Sequence, residues 1–117
     1  MSTLYHNSKC SKSRAALEYL TASGISFNII EYIKNPLNKN EIIKLCKKLN
    51  LTPLDIIRTN DQLFKNLNIN DIETKGDNFW YYMLAKYPIL LERPIYESSD
   101  SATIGRPLEN IINMLSN

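Results

Sequence analysis

The stretch STLYHNSKCSKSRAALEYLTASGISFNII, residues 2–30, decides the fold. Ser2 to His6 is short and strand-like. After Cys10 the apolar residues switch to helical spacing, with Ala16, Leu17 and Leu20 on one face and Gly24 as a natural stop. Arg14 and Glu18 stand four apart on the polar side, which lends the helix modest support. Then Ile25, Phe27 and Ile29 alternate with Ser26 and Asn28, the period of a half-buried strand. Strand, helix, strand in this order predicts a parallel pair joined by a right-handed crossover.

Outward from that stretch the chain turns helical. Asn38 with Glu41 three residues on forms a capping-box pattern. Ile42, Leu45, Cys46 and Leu49 then fall on one stripe. Thr52-Pro53 is expected to cap and start a short helix through Ile56, and Asp61 to Leu67 another. Asp77 is expected to cap a helix that carries Phe79, Met83 and Leu84 inward and stops before Pro88. Ile89 to Leu91 and Ile95 to Tyr96 are apolar and strand-like. Ser98-Ser99-Asp100-Ser101 predicts a turn into a return strand at Ala102 to Ile104. Pro107 then starts a last helix with Leu108, Ile111, Ile112 and Leu115 on one face. The expected architecture is α/β and thioredoxin-like: a mixed sheet of about four strands in a single domain, 1–117, with a helical insertion at about 38–87.

The totals exclude several classes. With 117 residues there is room for one core; 44% hydrophobic and 22% charged residues describe an ordinary globular chain. A net charge of +2, with lysines and carboxylates interleaved, offers no basic stripe for nucleic acid. No apolar run reaches membrane-span or signal-peptide length. Two cysteines make no disulfide framework, so a reducing cytoplasmic compartment is expected. Cys10, Cys46 and the single histidine match no zinc spacing, and no metal is expected. A monomer is the expectation at this size.

Cys10 lies just before the first helix. Backbone N–H groups there have no intrahelical partners, and the helix end favours a thiolate over a thiol. Lys9, Lys12 and Arg14 push the same way. Those N–H groups, with the Ser11 and Ser13 hydroxyls, also suit an oxyanion. The competing reading is a cysteine that merely packs at a helix end. Cys46, on an apolar stripe, behaves as a small hydrophobe. Position 13 is Ser, so there is no Cys-x-x-Cys pair, and redox chemistry at Cys10 would need a thiol from outside. His6 is open: it could tune Cys10, touch an anion, or simply end a strand in a satisfied hydrogen bond.

His6-Asn7-x-x-Cys10-x-x-Ser13-Arg14, Arg58, the run from Pro88 through Arg93 and Pro94 to Ile95, and Ile104-Gly105-Arg106-Pro107 resemble the glutaredoxin-coupled arsenate reductase family over nearly the whole chain. The resemblance implies a thioredoxin-like fold with a helical insertion. It implies that Cys10 attacks arsenate to give a thiol–arsenic adduct, while Arg58, Arg93 and Arg106 grip the oxyanion. It implies glutathione as co-substrate and glutaredoxin as partner, with no bound cofactor, and a cis bond before Pro94. His6, Asn7, Ser13 and Arg14 would support the site. Arginine suits a tetrahedral oxyanion because its planar fork stays charged. Two alternatives stand beside this. One is a glutathione-linked oxidoreductase of the same family acting on another substrate. The other is a redox regulator that binds RNA polymerase, against which Ser13 argues, since those regulators typically carry a second cysteine there.

Overall fold

The computed structural model describes residues 2–116. Two compact units emerge. The first comprises the chain up to Asn35 and from Arg93 onward; the second is Pro36–Glu92.

In the first unit β1 (Ser2–His6), α1 (Ser11–Ala22) and β2 (Phe27–Glu31) follow one another as expected. After the second unit come β3 (Ile95–Glu97), β4 (Ala102–Ile104) and the final helix, here α5 (Glu109–Leu115). The sheet has four strands in the order β2-β1-β3-β4. β1 pairs parallel with β2, while β3 runs antiparallel to both β1 and β4. Leu4, Ala16, Leu20, Tyr96 and Ile111 are buried together, with Leu17, Phe27, Leu108, Met114 and Leu115 packed around them. Strand β1, helix α1 and helix α5 thus share one core.

Each boundary has a local cause. α1 ends where Gly24 takes φ +74, and the amides of Ser23 and Gly24 fold back on the last-turn carbonyls of Tyr19 and Thr21. The turn after β3 is closed by Ser98, whose N–H donates to the Ser101 carbonyl at 2.8 Å and whose hydroxyl accepts from the Ser101 N–H at 3.2 Å. Asn110 on α5 donates to the Ile104 carbonyl at 2.9 Å, which ties the helix to the end of β4.

Two expectations in this unit are corrected. Ile29 does not join the core; it is 49% exposed, because β2 is an edge strand and, of its residues, Phe27 is the one packed against the core. The last helix starts at Glu109 rather than Pro107, and Met114 rather than Ile112 joins its buried stripe.

The second unit is helical: α2 (Lys39–Leu49), α3 (Gln62–Asn66) and α4 (Asp77–Lys86), with single 3₁₀ turns at Leu54–Ile56, Ile72–Thr74 and Pro88–Leu90. The capping box is present: Asn38 Oδ1 accepts from the Glu41 N–H at 2.8 Å, and Glu41 Oε1 accepts from the Asn38 N–H at 3.0 Å. α2 buries Ile42, Leu45 and Cys46 and packs against α4. Trp80 is buried between aromatic partners, 4.8 Å edge-on to Phe79 and 6.2 Å stacked with Phe64. Phe79 itself is only half-buried, and Gly76, not Asp77, occupies the cap of α4. Ile89 to Leu91 is not a strand. Pro88 starts a 3₁₀ turn there, and only Leu91 makes a bridge, to Ile57. Among the described residues no helix is long and apolar enough to cross a membrane.

Candidate active site

Cys10 is the N-cap residue of α1, with extended backbone (φ −100, ψ 124) and no capping hydrogen bond from its own side chain. The thiol is therefore left over the first turn of the helix, half-buried. Burial alone would raise its pKa. The Ser13 backbone N–H, the Arg93 guanidinium and the Lys12 backbone N–H outweigh burial and hold the thiol below its ordinary value. The helix end acts as expected, but the cation that matters comes from residue 93 rather than from the neighbouring lysines. Arg14 turns away: its Nη1 donates to the Ser8 carbonyl at 2.9 Å and braces the loop.

The loop before Cys10 is tied on both sides. The Cys10 N–H donates to the Asn7 carbonyl at 3.0 Å, and Asn7 Oδ1 accepts from the Lys9 N–H at 3.0 Å. The Asn7 N–H donates to Ser13 Oγ at 2.9 Å, and the same hydroxyl shares a 2.7 Å hydrogen bond with His6 Nδ1. Ser13 and His6 are both buried. His6 is thus a satisfied histidine, fastened to the first turn of α1. Burial lowers its pKa, with Arg14 adding to the effect, against the Glu31 charge and the Ser13 hydrogen bond; the imidazole is held neutral.

Arg93 reaches Cys10 because the chain re-enters the sheet there. The Arg93–Pro94 bond is cis, as the resemblance implied, and so is Arg106–Pro107. The Gly105 N–H donates to the Pro94 carbonyl at 2.8 Å, so the backbone carrying Arg106 lies beside the backbone carrying Arg93. Gly105 is required for that approach. A Cβ there would stand 2.9 Å from Pro94 Cγ and 2.6 Å from Ile111 Cδ1. Arg58 belongs to the other unit. Its N–H donates to the Leu90 carbonyl at 2.7 Å, and its Nη1 pairs with Glu92 Oε1 at 3.3 Å. The structure therefore joins Cys10 to Arg93, sets Arg106 alongside through Gly105, and describes Arg58 within its own helical unit.

Cys46 has the opposite character. Burial pushes it up to about 11, with Asp77 and Asp55 adding to the effect against a hydrogen bond from Tyr81, so it remains a thiol. Sequence reasoning missed two residues of consequence. Glu92 is one, the partner of Arg58. Tyr32 is the other, buried beside Asn7, Arg93 and Cys10. Tyr32 carried no signal because it lies just past a strand whose pairing register was unknown.

The ArsC family profile matches residues 5–114. The chain belongs to the ArsC family. It is 38% identical over 109 residues to a protein of Neisseria meningitidis named "Arsenate reductase", covering 92% of each chain. Among solved structures it is similar to one titled "Arsenate reductase from Vibrio cholerae", with TM-score 0.89, 34% identity and coverage of 96% and 95%. It is also similar to a "Putative arsenate reductase from Yersinia pestis", with TM-score 0.88, 32% identity and coverage of 97% and 99%. The ArsC match spans His6, Asn7, Cys10, Ser13, Arg14, Arg58, Arg93, Pro94 and Arg106, so every residue singled out for the site lies within it.

Proposed function

We propose that this protein reduces arsenate to arsenite, with the Cys10 thiolate as nucleophile and glutathione and glutaredoxin as the external reductant. The observation that carries the reading is the thiol of Cys10, stabilised as thiolate by the first-turn N–H groups of α1 and by Arg93. Thiolate and arsenate are both anionic. Arg93 offsets their repulsion and stabilises charge as the sulfur–arsenic bond forms. Arg106, on the backbone beside Arg93, completes the grip in this reading. In the first step the Cys10 sulfur bonds to As(V) and one As–O bond breaks, the oxygen leaving as water once protonated. No electrons have yet moved. Position 13 is Ser and Cys46 is held as a thiol by burial, so the two electrons come from two external sulfurs, which end as a disulfide while As(V) becomes As(III). Water then cleaves the remaining sulfur–arsenic(III) bond, releasing arsenite and restoring Cys10.

The test is arsenate-dependent NADPH oxidation with glutathione, glutaredoxin and glutathione reductase, comparing wild type with Cys10→Ser. Turnover in wild type and none in the variant is expected. No turnover in wild type, with the coupling enzymes shown to be active, overturns arsenate as substrate and directs the search to another oxidised substrate of the same thiolate.

A further inference from the structure

We propose that Tyr32 is an anion-binding residue of this site, its hydroxyl donating a hydrogen bond to the oxyanion held over Cys10. The inference deepens the proposed function and rests on it for the identity of the oxyanion.

The pairing register places the residue. His6 on β1 pairs with Glu31 on β2, so the chain one step further sets Tyr32 beside Asn7, whose carbonyl holds the Cys10 N–H. Tyr32 is 1% exposed, and its hydroxyl is buried with no hydrogen-bond partner. A buried hydroxyl left without a partner costs stability and calls for an explanation. Asn7 and Arg93 lie near enough to its oxygen to favour the phenolate, and Cys10 near enough to act through its charge; these are the groups of the thiolate site. None of them meets the hydroxyl in good hydrogen-bond geometry. Burial, with the Cys10 charge adding, raises the phenol pKa against Arg93 and Asn7, so the group keeps its proton and is available as a donor. The thiolate takes its hydrogen bonds from Ser13, Arg93 and Lys12 instead. A tetrahedral anion bound between the thiol and Arg93 would present oxygens to this hydroxyl and satisfy it. The free protein carries the cost of the unpaired group, and the ligand removes it, which gives the site selectivity for an acceptor-rich occupant.

The experiment uses the Tyr32→Phe variant of the full chain, which removes only the hydroxyl. Iodoacetamide labelling of Cys10 is followed by peptide mass at increasing arsenate, and separately at increasing sulfate. Protection of Cys10 in the variant is expected to need roughly tenfold to a hundredfold more anion, the range for a hydrogen bond to a charged partner. Its melting temperature is expected to equal or slightly exceed that of wild type, because no partner is lost. The pH midpoint of labelling without anion is expected to stay unchanged. Equal protection in the two proteins overturns the proposal. So does a melting temperature lowered by several degrees, which would reveal a structural partner. A raised midpoint without anion also overturns it, since the hydroxyl would then serve the thiolate. Absence of protection in wild type by either anion overturns it as well. The coupled assay separates this from the proposed function. Turnover with Tyr32-independent protection sinks Tyr32 alone; Tyr32-dependent protection without turnover sinks arsenate reduction and leaves the anion site.

Discussion

Ser13 shows how much one side chain can organise. Its hydroxyl accepts from the Asn7 N–H and bonds His6, joining the end of β1 to the first turn of α1 directly under Cys10. Ser13→Ala would leave a buried N–H and a buried imidazole nitrogen unsatisfied, so chemical denaturation should show a loss of about 1–3 kcal/mol. Cys10 and Arg93 form the second residue-scale unit. The Cys10 thiolate should react with iodoacetamide with a pH midpoint below the ~8.5 of free cysteine. Arg93→Ala should move that midpoint upward, because a hydrogen bond and a positive charge are removed from the thiolate while the burial that opposes ionisation remains. An unmoved midpoint would show that the helix end acts alone. The place of Cys10 at a helix start was legible in the sequence, since a helix start is a local pattern. The resemblance named Arg93 as an anion-gripping residue, but local spacing pointed to the neighbouring lysines as the cations acting on Cys10, because Arg93 lies 83 positions away and only the pairing of β3 with β1 brings the chain back beside the loop.

At the scale of elements, the local signals succeeded where a segment carries its own cause. The capping box at Asn38, the turn at Ser98 to Ser101 and the stop at Gly24 are each built from residues within a few positions of one another. They failed where packing decides. Ile89 to Leu91 has strand composition but no alternation, and Pro88 sets a turn in which the Leu91 N–H donates to the Pro88 carbonyl at 3.1 Å. Ile29 follows the alternation of a half-buried strand, yet the edge position of β2 leaves it in solvent. Trp80 and Tyr32 were invisible for the same reason: neither residue's burial follows from its neighbours in sequence. Gly105 is the element-scale hinge of the site, since β4 and the loop carrying Arg106 close against Pro94 only without a Cβ. Gly105→Ala should cost about 1–3 kcal/mol in a denaturant titration, the range for overpacking against a proline ring and a core isoleucine. It should also lower turnover by displacing Arg106. Stability equal to wild type would mean that the loop has room to shift.

The whole molecule carries a pH dependence rooted in His6. Its pKa is lowered in the fold, chiefly by burial, while the unfolded chain protonates it near the ordinary value of about 6.5. Below that value the unfolded state binds more protons than the folded state, so stability falls as pH drops and levels only below the folded-state pKa; above it the contribution is constant. Melting temperature should therefore be flat above about pH 7 and decline through the low 6s, before the carboxylates titrate. His6→Gln should flatten that decline. A wild-type curve with no slope there would show that the imidazole is equally easy to protonate in both states.

Trp80 is the chain's only tryptophan, and it is buried in the Pro36–Glu92 unit, flanked by Phe64 and Phe79. Its emission thus reports the helical insertion and nothing else, while the labelling rate of Cys10 reports the sheet-bearing unit. The protein comes with one intrinsic probe in each unit. Unfolding curves recorded with the two, on the same sample and without any introduced dye, would reveal whether the insertion melts with the sheet or ahead of it.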